Sequence, residues 1–309
     1  MAYYSGQASS YDDLKTALVD ACVAEGWTWA DGILSKEETF VKLSVSASGT
    51  TAQGPGIILQ GGVGKSGTNL TTPSTAVRLG PDAGVNPLFS FIFPLAYQIF
   101  IFDNPNEVFL IVNYEIDKFS YLAFGQSTGS GYKTWIEASV AVNFQTSSNA
   151  SSPISITQST GGYSSGNLVY AYPNGFFWQT TDYGGRHHCG LYSIDTGWIY
   201  PLTGYPTLSA IQAVYNLVQV SPPNWSSESI LIPIIVVANK SSNKCAIATI
   251  INNARYIRVD NLEPDQILTL GSEKWKVFPF FKKNSSVRNG GNNIVHTGTF
   301  GWAIRYDGP

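Results

Sequence analysis

"AYQIFIFDNPNEVFLIVNYEIDKFSYLAFGQS", residues 96–127, decides the fold class. Two runs rich in β-branched and aromatic residues, 97–102 and 108–114, flank "DNPNE", whose Asp, Asn and Pro are turn formers. A third run, 119–124, completes a three-stranded meander. Successive side chains of a strand point to opposite faces, so a strand with one wet face alternates apolar and polar. Residues 108–112, Val-Phe-Leu-Ile-Val, do not alternate. That strand is therefore expected to be covered on both faces.

Upstream, only one segment reads as helix. Ser10 is placed to cap it, with Asp13 three residues on as a weaker form of the capping box. Leu14, Ala17, Leu18, Ala21 and Cys22 recur at helical spacing. Asp12 and Asp13 fall in the first turn, where the helix dipole favours negative charge. Gly26 is the expected stop. Asp31-Gly32, flanked by Trp27, Trp29 and Ile33, is a hairpin signal. Residues 1–45 therefore read as a helix plus a β-ribbon, expected to act as a docking element, with the main β domain over 46–309. The Ser/Thr/Gly-rich stretch 144–166 is a loop or a candidate sub-boundary.

Downstream, Asn174-Gly175 marks another hairpin turn. Residues 208–218 fit either period and are assigned to strand on their β-branched content. Residues 230–260, "ILIPIIVVANKSSNKCAIATIINNARYIRVD", read as strands with polar turns between them. "GTFGWAIRYDGP" (298–309) reads as a final strand. No repeat of the length that builds propellers or solenoids is present. The expected fold is mainly β, an antiparallel sandwich or distorted barrel with one N-terminal α-helix.

Composition narrows the function classes. The chain has 309 residues, of which 13% are charged and 43% hydrophobic. The charged fraction is about half of the usual ~25%, so the surface is expected to be neutral-polar. A net charge of −3 argues against nucleic acid and anionic membranes as partners. No apolar run reaches the ~20 residues of a membrane helix; the longest, 230–238, is broken by Pro233. The first residues lack the pattern of a signal peptide. Cys22, Cys189 and Cys245 are too few and too scattered for a disulfide framework and are expected as reduced thiols. Asn-x-Ser/Thr triplets at Asn69, Asn149 and Asn224 are expected by chance in so Asn/Ser-rich a chain.

Four patterns invite a chemical reading. "LQGGVGKSG" (59–67) matches the core of a phosphate-binding loop at Gly61, Gly62, Gly64, Lys65 and Ser66. Such a loop needs a helix after it, whose N-terminus holds the phosphates. Here Leu59 replaces the required first glycine and Gln60 the signature lysine of the deviant loops, while Gly67 and Pro73 follow without an apolar stripe. The expectation is a false match: a glycine-rich turn between strands, with Lys65 solvated and no nucleotide or other cofactor. "RHHCG" (186–190) offers metal ligands. On a strand His187 and Cys189 would share a face and His188 would oppose them, and His296 is distant in sequence. No metal is expected, and a Cys–His nucleophile finds no local support. Glu115, Asp117, Asp182 and Asp195 lie among aromatics as in glycosidase clefts, but such enzymes need two carboxyls facing each other across a sugar. Most carboxylates here adjoin turn residues, where they bond backbone. The aromatic clusters Phe176, Phe177 and Trp178, then Tyr192, Trp198 and Tyr200, then Trp275, Phe278, Phe280 and Phe281 are expected chiefly as core. Sugar-stacking platforms or subunit interfaces are the alternative.

Five segments carry a family resemblance. "YYSGQASSYDDLKTALVDACVAEGWTW" (3–29), "ILSKEETFVKL" (33–43), "FDNPNEVFLIVNYEIDKFSYLAFGQSTG" (102–129), "NWSSESILIPIIV" (224–236) and "FGWAIRYDGP" (300–309) resemble segments of tailed-bacteriophage virion proteins. The resemblance implies a non-enzymatic structural component of the virion, made in the host bacterial cytoplasm and associated with the tail tip or baseplate. The alternatives are a capsid- or collar-associated decoration protein, a host-glycan-binding module and a polysaccharide or cell-wall hydrolase. The implied partners are other virion proteins, with a symmetric homo-oligomer. It brings no active-site residues with it.

Overall fold

The meander at 96–127 sits at the centre of the molecule. The computed structural model describes residues 1–46, 55–81, 90–116, 118–141, 189–200, 208–209, 230–240, 244–259, 261–279 and 300–308. In chain order the elements are β1 (Ala2–Ala8), α1 (Tyr11–Ala24), β2 (Thr28–Ala30), β3 (Ile33–Lys36), β4 (Thr39–Ser46), β5 (Gly56–Gly62), β6 (Gly64–Ser66), β7 (Asn69–Thr71) and β8 (Val77–Pro81). The meander follows as β9 (Leu95–Phe102), β10 (Glu107–Glu115) and β11 (Lys118–Gln126), then β12 (Tyr132–Ala138), β13 (Val140–Ala141), β14 (Cys189–Ser193), β15 (Gly197–Ile199) and β16 (Leu208–Ser209). The last are β17 (Ile232–Lys240), β18 (Lys244–Arg258), β19 (Ile267–Leu270), β20 (Glu273–Pro279) and β21 (Phe300–Arg305).

Three layers result. The central sheet has the order β1-β9-β10-β11-β12-β14-β15. One outer sheet, β13-β8-β5-β4-β3-β2, together with α1, covers one face; the other, β16-β17-β18-β21-β20-β19, covers the opposite face. β6 and β7 form a small hairpin of their own. Among the described residues pairing is antiparallel except for the parallel contact of β13 with β8. The architecture is a sandwich, and the barrel alternative is not what forms.

The non-alternating strand has the two covered faces its sequence demands. Val108, Leu110 and Val112 enter one core with Leu14 and Leu18 of α1 and Ile57 and Leu59 of β5. Phe109 and Ile111 enter the other with Ile234, Tyr256, Phe278 and Trp302. A smaller cluster, including Ile257, Trp275, Val277 and Ala303, lies on the far face of the third sheet.

The helix begins and ends where its signals stand. The Ser10 side chain accepts from Asp13 N, and Gly26 follows the C-cap with φ +82. The capping box is displaced by one residue: Asp13 Oδ2 accepts from the backbone N (2.8 Å) and hydroxyl (3.0 Å) of Ser9 rather than from Ser10. Leu14, Leu18, Ala21 and Cys22 are buried, as is Val19. Asp31 (φ 58) and Gly32 (φ 79) take the left-handed pair of a tight hairpin turn.

The sequence at 1–45 divides between layers: β1 pairs with β9 in the central sheet, β4 pairs with β5, and α1 fills a core. The short β1, "AYYSGQA", carries too little apolar content to announce a strand. Asn252 and Asn253 belong to the continuous β18, at a step where register shifts against β17. Two residues of the 208–218 segment form β16; the rest of it, the 144–166 stretch and Asn174-Gly175 lie outside the described residues.

Candidate functional site

The glycine-rich motif is mostly strand. Gly61 and Gly62 pair with Val41 and Phe40 in the ladder of β4 and β5. Gly64, Lys65 and Ser66 are β6, whose partner β7 follows after a turn at Gly67, φ +57. A strand pair thus stands where a phosphate loop requires a helix N-terminus. The glycines serve close packing. A Cβ on Gly61 would lie 2.5 Å from Trp198, and one on Gly62 2.8 Å from Leu70. Lys65 approaches Asp31 at 3.6 Å and is not simply solvated.

Of the metal-type residues, Cys189 opens β14 directly opposite Glu137 of β12. His187, His188 and His296 lie outside the described residues, as do Asp117 and Asp182. Among the described residues no three His, Cys, Asp or Glu side chains converge as metal ligands. Burial pushes the Cys189 thiol well up, and the nearby Glu137 carboxylate adds to the effect. Cys22 is likewise raised by burial. A thiol held protonated in apolar surroundings packs rather than reacts.

Two buried carboxyls, neither singled out from sequence, share the aromatic side of the central sheet. Glu137 accepts a 2.7 Å bond from the Tyr121 hydroxyl. Glu107 opens β10 and is fully buried. Its Oε1 accepts from Asn252 N (2.9 Å), and its Oε2 accepts from Asn253 N (2.9 Å) and Asn253 Nδ2 (2.8 Å). The irregularity of β18 turns these amides from the ladder toward the central sheet. Glu107 therefore pins the middle layer to the third. Burial raises its carboxyl to about 7; the Asn252 and Asn253 bonds and the charge of Arg255 oppose that rise without cancelling it. The sequence signal was present, a Glu abutting a five-residue apolar run, but it reads equally well as part of the "DNPNE" turn.

The described aromatics divide. Trp275 and Phe278 are buried, and Arg255 lies over the Trp275 ring at 4.9 Å. Trp198 stacks on Tyr200 and its Nε1 donates to Thr72 O at 2.8 Å. Tyr192 meets Trp198 edge-on at 5.7 Å; Phe176, Phe177, Trp178, Phe280 and Phe281 lie outside the described residues. Asp195 sits exposed in the β14–β15 turn and Glu115 at the exposed end of β10.

One open groove of about 410 Å³ runs between α1 and the edge of the central sheet. Tyr4, Ser5 and Tyr97 line it from the sheet, and Asp13, Thr16, Ala17, Asp20 and Ala21 from the helix. The Tyr4 hydroxyl donates to Glu25 at 2.6 Å, and this bond, together with burial and nearby negative charge, raises its pKa to about 12. Compared with protein-family models and with curated proteins, the chain matches none.

Proposed function

We propose that this chain is a structural component of a tailed-phage virion, placed at the tail tip or baseplate, which works through protein–protein contacts. The observation that carries the reading is where the resembling segments fall. They supply β1, α1, β3 and most of β4, the β10–β11 hairpin, the start of β17 and all of β21, so the resemblance runs through all three layers. Glu107 bonds the third layer, Glu137 accepts from Tyr121, and the buried Cys22 packs in the helix-side core. Low charge suits a part that buries neutral-polar surface against many neighbours. Ile92 and Ile116, 80% and 73% exposed, lie on segments joined by the stacked Phe91–Tyr114 rings and offer apolar contact surface. Glycan recognition draws no support from Trp275, which is buried.

The test is immunogold labelling of particles with antibody against the purified protein. Gold at the tail tip or baseplate is expected. Gold at the collar or capsid would replace this placement with a decoration role, and no gold on any particle would overturn the reading.

A further inference from the structure

The two edges of the central sheet are finished differently. At the β15 edge, side chains tie the strand to the neighbouring layer: Trp198 Nε1 donates to Thr72 O, and Tyr200 Oη accepts from Thr75 N at 2.6 Å. At the other edge, β1 pairs with β9 along all seven of its residues without a register shift. Among the described residues no backbone group of another segment bonds to its outer side. Open edges are normally protected by lysine, proline, bulges or a covering element, because unpaired N–H and C=O groups recruit further strands. β1 itself carries no lysine, proline or bulge; Lys276 of β20 reaches its Tyr3 hydroxyl at 3.4 Å, and Tyr3 packs on the aromatic core while Tyr4, which lines the groove, packs on the other.

The groove described above lies beside this edge. A side chain at Gly6 would meet the Tyr97 hydroxyl at 2.7 Å, so glycine lets that ring lie across β1 toward the edge. The helix wall is acidic: Asp13 and Asp20 line the groove. Lys15, the one base of α1, is paired with Asp12 at 3.0 Å and is not in the lining. An added strand would form main-chain bonds with β1 and present every second side chain to the helix.

We infer that β1 is a receptor edge: it takes, by β-strand addition, an extended segment of a partner protein whose Lys or Arg residues at alternate positions face Asp13 and Asp20. Self-pairing through β1 is disfavoured, since a second copy brings no basic residue on that strand and sets two acidic helices near one another. The inference deepens the assembly reading and rests on it for the partner's nature. Its test uses purified full-length chain, so that it can fail while particle labelling succeeds, and the reverse.

The probe is a blocked, fluorescein-labelled Lys-Thr-Lys-Thr-Lys-Thr-Lys peptide, followed by anisotropy and by hydrogen exchange of residues 2–8. Binding is expected, with slowed exchange in β1. Asp20→Lys, at an exposed position, is expected to weaken it roughly tenfold. The matching Lys-Pro peptide, equal in charge but lacking the amide donor at each of its three proline positions, is expected to bind at least about tenfold more weakly, and the Glu-Thr peptide not at all. Equal binding of the Lys-Thr and Lys-Pro peptides would reduce the contact to charge attraction and overturn strand addition. Binding without β1 protection, or no binding, overturns it too. A chain that dimerises and excludes the peptide overturns it in favour of self-pairing.

Discussion

The two faces of the central sheet solve one packing problem with different chemistry. The face toward α1 and the N-terminal strands is mainly aliphatic: Ile99, Ile101, Val108, Leu110, Val112 and Leu122. The face toward the C-terminal strands is aromatic: Phe100, Phe102, Phe109, Phe119, Tyr121 and Trp135 meet Tyr256, Phe278 and Trp302. It also holds both buried carboxyls, Glu107 and Glu137. Aliphatic side chains pack without strong directionality, and there the helix, capped by Ser10, adds local order. Rings prefer edge-to-face contacts, as between Phe119 and Phe278 (5.4 Å, 72°) and between Tyr121 and Trp302 (5.3 Å, 62°). Hydrogen-bonded carboxyls add direction. The aromatic face thus specifies how its two sheets sit, beyond holding them together.

Truncations on adjacent residues of β10 test that contrast most strongly. Phe109→Ala is expected to cost about 3–5 kcal/mol and Leu110→Ala about 2–5 kcal/mol, read by denaturant unfolding. A cost below about 1 kcal/mol at either residue would break the claim that both faces are closely packed.

Glu107 sharpens the comparison. Glu107→Ala leaves the Asn252 and Asn253 amides without their acceptor and is expected to cost about 1–3 kcal/mol. The carboxyl also predicts a pH slope. Its ordinary value of 4.5 rises to about 7 on burial, so the folded chain holds a proton in a range where the unfolded chain has released it. This contribution is full below about 4.5, falls as pH rises to about 7, and is flat above. Measured against Glu107→Gln, which does not titrate, the wild type is expected to lose about 3 kcal/mol across that window. Parallel pH profiles for the two proteins would remove Glu107 from the account.

Smaller effects come from the seam near the β15 edge. Gly61→Ala drives a methyl into Trp198 and is expected to cost about 1–3 kcal/mol, with a change in tryptophan fluorescence. Lys65→Ala removes only a partly exposed pair with Asp31 and is expected to cost about 0–1 kcal/mol. Its nucleotide binding should match that of the wild type, whose ATP titration is expected to be flat; clear ATP binding would break the reading of 59–67 as strand and hairpin.

Local signals carried much of the fold. Ser10, the stripe from Leu14 to Cys22 and Gly26 defined the helix, and Asp31-Gly32 defined its hairpin, because each depends on neighbours within a few residues. β1 was not legible: a strand without apolar alternation is held by the partner it pairs with, here β9. The pairing of β4 with β5 is likewise set by contact between strands rather than by local signals. The false phosphate loop could be doubted from sequence but not replaced, since Trp198, whose approach requires Gly61, is far away along the chain.

The sequence by itself determined that the chain is mainly β, that it has one N-terminal helix, and that β10 is buried on both sides. Side-chain periodicity and turn chemistry are local, and they survive in any arrangement of the strands. Only the tertiary structure decided that two further layers cover the sheet and that Glu107 and Glu137 are buried on its aromatic face. It also decided that, among the described residues, no strand pairs with the outer side of β1, which lies beside an acidic groove. Burial, a raised pKa and an unpaired edge are properties of what a residue is brought against, and contacts between residues distant in the chain set them.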